Sequence, residues 1–255
     1  MAKILTIDIE TSPNIAYVWG LWKQNVGLNM LKDRTYVMSY AAKWLGSDKV
    51  LYEENRHGDD RDLIQSLIDL LDSADIVIAH NANKFDLPTI NARAVEHGIK
   101  PPSPYKVVDT LSVAKKHFRF TSNKLEFIAD ALGCAPKLKH QHFPGFELWL
   151  QCLKQNDKAW KEMKEYNVQD VLTLEEVYLK LRPWIKNHPN IGVLDEQDVP
   201  VCPKCGGRHI NYRGYVTTNV SKFRKFVCMD CGGWGRTRYN ELAPEKRKQL
   251  TTNAL

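Results

Sequence analysis

The sequence predicts an α/β domain with a mixed sheet, followed by a small second domain of different character. Three observations point there. Short β-branched strand patterns dominate the beginning, helical patterns are interleaved later, and beyond residue 200 the chain turns to Cys, Gly, Arg and aromatics. At 255 residues, with 43% hydrophobic and 26% charged, it has the apolar material for a real core. That usage excludes a disordered tail, a collagen-like chain and a low-complexity array.

Ile4 to Ile9 reads as a buried strand, and residues 36–45, 49–53 and 75–79 as further strands. From Asp59 to Leu71 apolar residues fall at 63, 64, 67, 68, 70 and 71, an amphipathic helix with acidic residues in its first turn. Helical patterns also cover 86–98, 109–117, 123–132 and 157–181. Between Arg182 and Val201 the periodicity stops among Pro183, Asn187, Pro189, Asn190, Gly192 and Pro200. The expected organisation is therefore a first domain over 1–182, a linker over 183–200, a cysteine-bearing domain over 201–240 and a basic tail over 241–255. The aliphatic run Ile76–Ala79 falls far short of the roughly 20 residues that span a membrane, and Met1-Ala2-Lys3 leads straight into a strand. No membrane association is expected.

Charge is unevenly spread. Residues 1–195 hold 25 Lys+Arg and 25 Asp+Glu, whereas 196–255 hold 11 and 5, so the whole net charge of +6 falls in the last quarter. Such a basic segment suits an anionic partner, nucleic acid first.

Four of the six cysteines form Cys202-Pro-Lys-Cys205 and Cys228-Met-Asp-Cys231, each pair followed by Gly-Gly. Two CxxC turns on neighbouring hairpins aim four thiolates at one point, the shell of a structural Zn²⁺ in a zinc ribbon rather than a disulfide or a redox pair. Cys134 and Cys152 are expected to be buried apolar residues. Around the knuckles lie Tyr212, Arg213, Tyr215, Lys222, Phe223, Arg224, Lys225, Phe226, Trp234, Arg236, Arg238 and Tyr239. Cations interleaved with rings suit nucleic acid, though a small hairpin domain needs about half of those rings for its own core.

Three acidic features stand out. In Asp8-Ile9-Glu10, period-2 alternation puts both carboxylates on one face at the end of an otherwise apolar strand, where a shared cation would compensate them. Asp86 follows the turn His80-Asn81-Ala82-Asn83-Lys84-Phe85 after the buried strand 75–79; helix capping is its plainer explanation. Asp170 falls inside the apolar stripe Trp160, Met163, Val171, Leu174, Val177, Tyr178 and Leu181 of the long helix, with Tyr166 one turn earlier on its flank. A carboxylate in such a stripe needs a partner.

Asp8 and Glu10, then Asp86 after a His-Asn turn, then Tyr166-x-x-x-Asp170 resemble the ordered signature of the DEDDy 3′–5′ exonucleases of the ribonuclease H-like superfamily. The wording is similar to the proofreading domain of family B DNA polymerases and to YprB-type ribonuclease H-like domains, over residues 3–182. Asp109-Thr110-Leu111 and Lys124-Leu125-Glu126-Phe127 look like that family's intermediate helices. The C-terminal ribbon lies outside the pattern.

That resemblance implies a ribonuclease H-like mixed β-sheet flanked by helices, with a small C-terminal zinc-ribbon β domain added. It implies a DNA 3′–5′ exonuclease acting on single-stranded or unpaired ends with two Mg²⁺ or Mn²⁺. Asp8 would bridge both ions, Glu10 and Asp170 would complete the first site, Asp86 would hold the second, and Tyr166 would position the attacking water. Asn81 and Phe85 match positions that contact the terminal nucleotide, and Thr11 would contact its sugar. Arg213, Lys222, Arg224, Lys225, Arg236 and Arg238 are the candidate strand-binding cations of the ribbon. Tyr17, Trp19 and Trp22 either stack on bases or, as the favoured reading, pack against a second strand or loop. His140 and His142 are expected to be loop histidines rather than ligands. RNA 3′-end trimming, structure-specific endonucleolytic cutting and a non-enzymatic zinc-ribbon adaptor are the alternatives. Replication or recombination proteins would be the protein partners, and the cytoplasm the location, a host's if a virus encodes the chain.

Overall fold

A computed structural model describes residues 2–134, 142–194 and 199–253. Two compact units result, Lys3–Tyr178 and a second comprising Met1–Ala2 with Leu179–Leu255.

In the first unit β1 (Ile4–Thr11) is buried on both faces as far as Ile7, which is why its sequence begins as an unbroken apolar run. From there it alternates: Ile7 and Ile9 stay buried while Asp8 and Glu10 face a half-open side. A short ladder, β2 (Ile15–Ala16) with β3 (Leu31–Asp33), follows. β4 (Val37–Trp44) then runs antiparallel to β1, setting Ala41 opposite Asp8 and Ser39 opposite Glu10. Those two small side chains leave room beside the carboxylates. β5 (Val50–Glu54) pairs antiparallel with β4.

After α1 (Arg61–Asp72), β6 (Ile76–Ala79) returns parallel to β1, and after α2 (Asp86–Glu96), β7 (Lys106–Asp109) lies parallel to β6. The sheet order is β5-β4-β1-β6-β7, the mixed sheet that the sequence predicts. Leu63, Ile64, Leu67, Ile68 and Leu71 of α1 join Leu87, Ile90 and Ala94 of α2 over Leu5, Ile7, Ile9 and Tyr40 in one core. Helices α3 (Thr110–His117), α4 (Leu125–Ala131), α5 (Glu147–Leu153) and α6 (Asp157–Leu181) complete the unit. Met38, Leu148, Cys152, Trp160 and Met163 form a second core that joins α5 and α6 to β4. All seven apolar residues of the stripe expected in α6 are buried. Cys134 and Cys152 are buried as well.

Four elements of this unit, β2, β3, β7 and α5, have no sequence prediction. β7 is four residues long and follows Pro101, Pro102 and Pro104, too short and too close to helix and turn breakers to show a period.

The second unit contains a three-stranded antiparallel sheet in the order β10 (Trp234–Arg236), β9 (Lys222–Cys228), β8 (Ile210–Thr217), and a short α7 (Pro244–Lys248). The stretch read as a linker carries two 3₁₀ turns, Arg182–Trp184 and Ile191–Val193, with Ile185 and Ile191 buried. No helix among the described residues is long and apolar enough to cross a membrane.

One buried carboxylate pins the first core. Asp60 is fully buried and accepts from the Val37 N–H at 2.8 Å, from Arg93 Nη2 at 2.6 Å and from the His97 ring at 2.6 Å, tying β4, the start of α1 and the end of α2. Burial by itself would raise its pKa, but the donors from Arg93, His97 and Val37 bring it below the usual carboxylate value. Asp59, Asp60 and His97 have metal-like proximity; the Arg93 guanidinium already supplies the cation there. Asp60→Ala leaves the part-buried Arg93 guanidinium with Glu96 as its remaining counter-charge and strips the Val37 N–H of its acceptor, and is expected to cost about 3–5 kcal/mol. Urea unfolding at pH 7 measures it, and a loss under ~1 kcal/mol would contradict this role.

Candidate active site

The site forms where β1 ends. One carboxylate oxygen from each of Asp8, Glu10 and Asp170 lies within 4.8 Å of the others. Two come from one strand face and the third from the middle of α6, so the cluster exists only because α6 lies across that face of the sheet. Asp170 is 5% exposed, as its place in the apolar stripe requires.

Neighbouring polar groups are spent on orienting these acids. Asn167, fully buried one turn before Asp170, donates its amide to Asp8 Oδ2 at 2.7 Å and accepts from the Ser39 hydroxyl at 3.2 Å. The Tyr166 phenol hydrogen-bonds Asp170, and its ring meets Trp149 edge-on at 6.0 Å. Burial first, and then the charges of Asp170, Glu10 and Asp8, push the Tyr166 pKa far above that of a free phenol. Tyr166 therefore carries its proton at any working pH and acts as a donor.

Asp86 reaches the site from the other side. It occupies the first turn of α2, 1% exposed. Its carboxylate accepts from its own N–H and from the N–H of Ile9, the residue between Asp8 and Glu10. Capping alone does not account for it, because Oδ1 is buried with no hydrogen-bond partner among the described residues. Burial lifts its pKa to about 7, the two backbone donors oppose that, and the charge of Asp109 adds to it.

The turn that delivers Asp86 is itself held by a carboxylate. Asp109 ends β7 and is 5% exposed. It accepts from the Asn81 N–H at 3.0 Å and the Asn83 side-chain amide at 3.2 Å, and it caps α3 through the N–H groups of Leu111 and Ser112. Asn81 sits at φ 75°, a left-handed conformation that Asn tolerates better than most side chains. His80 is fixed beside it, Nδ1 at 2.9 Å from the Thr110 hydroxyl and Nε2 at 3.0 Å from the Asn123 carbonyl. Asp109 and Asn167 are the functional neighbours that sequence reasoning missed. The signal for Asn167 was a polar residue on the buried flank of α6, and for Asp109 an acid directly before a helix.

Strand, turn and helix thus bring four acids and one phenol to the carboxyl end of a mixed sheet. A model of the RNase_H superfamily matches residues 5–182. The chain belongs to the RNase H superfamily. It is 23% identical over 195 residues to a DNA polymerase of Methanocaldococcus jannaschii, covering 66% of this chain and 11% of that protein. Its fold matches the family B DNA polymerase of the hyperthermophilic archaeon Pyrobaculum calidifontis with a TM-score of 0.53 at 16% identity, over 72% of this chain and 26% of that one. The chain therefore spans only a minor part of either relative.

Within the RNase H-like domain, Thr11 is half-buried just past a bulge after Glu10, and Phe85, 39% exposed, precedes Asp86. Tyr17, Trp19 and Trp22 correct the expectation that they pack: they are 71%, 99% and 86% exposed. Among the described residues no second layer of structure covers their segment. His142 lies at 3.2 Å from Glu162, while His140 lies outside the described residues.

The second unit gathers Cys202, Cys205, Cys228 and Cys231, one sulfur of each within 4.8 Å of the rest and none in a disulfide. The two knuckles repeat one backbone plan. Gly206 and Gly232 take left-handed φ of 73° and 74°, and the N–H groups of Gly207 and Gly233 point at Cys205 and Cys231 at 3.3 and 3.4 Å. Beyond them rings and cations pair: Lys222 over Tyr215 at 4.1 Å, Arg224 over Tyr212 at 4.3 Å, Lys225 over Trp234 at 5.7 Å and Arg236 over Phe223 at 3.8 Å. Phe226 alone of these rings is buried, so fewer serve the core than the expected half. Arg213 and Arg238 are exposed.

Asp86 yields a signed pH dependence. Its folded carboxyl holds a proton to about pH 7, against 3.8 for an ordinary Asp. The group favours folding at low pH, and that contribution is lost as pH rises through this window, by ~1.4 kcal/mol per pH unit. Metal-free protein is therefore expected to lose stability between pH 5 and pH 7. Asp86→Asn should flatten the dependence, and millimolar Mn²⁺ should restore the wild-type protein at pH 8 more than the variant. Denaturant midpoints across pH measure it; superimposable profiles for the two proteins would contradict it.

Proposed function

We propose that the protein is a metal-dependent 3′–5′ exonuclease that hydrolyses phosphodiester bonds of DNA at single-stranded or unpaired ends. The observation that carries this reading is the convergence of Asp8, Glu10 and Asp170 within 4.8 Å, with the Tyr166 phenol on Asp170. All the ligand atoms are hard oxygens, suited to Mg²⁺ or Mn²⁺, and the partnerless Asp86 Oδ1 fits a site that takes a cation. Asp8, Glu10 and Asp170 would hold one ion, and Asp8 with Asp86 a second. Such a pair, when bound, lowers the pKa of water and neutralises charge on the scissile phosphate.

The chain's own groups do the positioning. Asn167 holds Asp8 in one rotamer, Tyr166 keeps its proton and orients the attacking water through its hydroxyl, and the Asp109-bound turn presents Asn81 and Phe85 to the terminal nucleotide. Thr11 adds a contact to its sugar. The four thiolates would hold one structural Zn²⁺, since a closed shell of four sulfurs leaves no open position for chemistry. The ring-backed cations of the ribbon bind the strand, because phosphates need positive charge and unpaired bases stack on rings. Replication or recombination proteins are the proposed protein partners.

Mononucleotides should be released from 3′-labelled single-stranded DNA only with Mg²⁺ or Mn²⁺, and faster than from matched RNA. Asp8→Ala and Asp170→Ala should each lower the rate by about 10³-fold or more. Persistent release in either variant, or cutting of a circular single strand, would overturn the assignment. Zinc is tested separately: the purified chain should bind a single Zn²⁺ that Co²⁺ replaces with thiolate charge-transfer absorption. Cys205→Ser should lose that absorption while leaving the Mn²⁺ response in place.

A further inference from the structure

Directly after Thr11 the chain leaves the sheet in a tongue whose base is the β2–β3 ladder, Ile15 opposite Asp33 and Ala16 opposite Leu31. Trp19 is 99% exposed, Trp22 86% and Tyr17 71%. Exposing three large rings on one short segment forfeits the burial that normally drives such side chains inside, and exposed aromatic clusters mark binding surfaces. Lys23 holds φ 53° immediately after Trp22, a left-handed turn for a residue with a full side chain.

Charge on the tongue leans positive. From Thr11 to Asp33 the charged residues are Lys23, Lys32 and Asp33, with Asp33 at the base and 3.9 Å from Lys32. At its foot lies a cleft of about 620 Å³ lined by Ser12, Arg34, Arg56 and His57, with Asp33 as the acidic member of that lining. Arg56 is tied to Glu54 and Asp157, so Arg34, exposed on the rim, is the cation available to an incoming anion.

We infer that the tongue is a stacking platform for unpaired bases of the nucleic-acid substrate, with Tyr17, Trp19 and Trp22 taking successive bases and the cleft taking backbone phosphate near Arg34. This rests on the nuclease reading and adds a selectivity to it. Bases in a duplex are already stacked on each other and offer no free face to the rings, so the platform favours single strands. Phosphates favour a segment whose cations outnumber its acids. The tongue also grows from the strand that carries Asp8 and Glu10, so a strand lying on it runs beside the carboxylates.

The test uses the full chain. In an Asp8→Ala background, anisotropy of a labelled twelve-residue oligothymidylate measures binding. Trp19→Ala/Trp22→Ala should weaken it about tenfold or more, whereas Trp19→Phe/Trp22→Phe should retain most of it. In the wild-type background the alanine pair should lower kcat/KM on the oligonucleotide at least tenfold more than on the p-nitrophenyl ester of thymidine 5′-monophosphate, which has no neighbouring base to stack. Equal losses on both substrates, equal losses for duplex and single strand, or undiminished oligonucleotide binding would each overturn the platform. So would a tryptophan blue shift on phosphatidylglycerol vesicles with no response to oligonucleotide, which would make the tongue a membrane contact. If neither substrate is cut by the wild-type protein but the oligonucleotide still quenches Trp19 and Trp22, the platform stands and the nuclease reading falls.

Discussion

Mutual repulsion among carboxylates at the carboxyl end of β1 is the constraint around which the first unit is organised. Asp8, Glu10 and Asp170 share a space of a few ångströms, and Asp86 is bound to the backbone between the first two. Such crowding destabilises a fold unless donors or cations offset it. Among the described residues, the Asn167 amide holds Asp8, the Tyr166 hydroxyl holds Asp170 and the Ile9 N–H holds Asp86. These bonds fix the directions of the acids and gather hard oxygen ligands in one place, the chemistry that suits a divalent cation.

Rigidity is supplied from below by a second carboxylate that never enters the pocket. Asp109 gathers the N–H groups of a turn and of a helix start, and so converts the short strand β7 into a clamp on the segment leading to Asp86. Asp60 does the same kind of work elsewhere in the first core, through a guanidinium and an imidazole. In both cases a buried charge is tolerated because several donors converge on it.

Most of this was legible in the sequence where periodicity is strong. The alternation of Asp8 and Glu10 against Ile7 and Ile9, the apolar arc of α6 and the paired CxxC turns each encode a face or a shell directly, so strand, helix and cysteine cluster follow from spacing. The supporting residues were not legible, because Asn167 and Asp109 act through partners far along the chain, Asp8 and Asn81, and no local pattern announces such a bond. The tongue misled for a related reason. Its aromatics carry the composition of a packed element, and composition contains no information on whether a neighbouring layer exists to receive them.

The repeated plan of the two cysteine knuckles has a consequence for biosynthesis. Each knuckle holds half of the sulfurs and an identical glycine-directed turn, so neither half can close a tetrahedron by itself. The first pair precedes the second by more than twenty residues, so the cluster cannot form until the chain extends through Cys231. Assembly of the four-sulfur cluster therefore follows synthesis of Cys231, by which point every residue of the carboxylate-bearing unit has already been made.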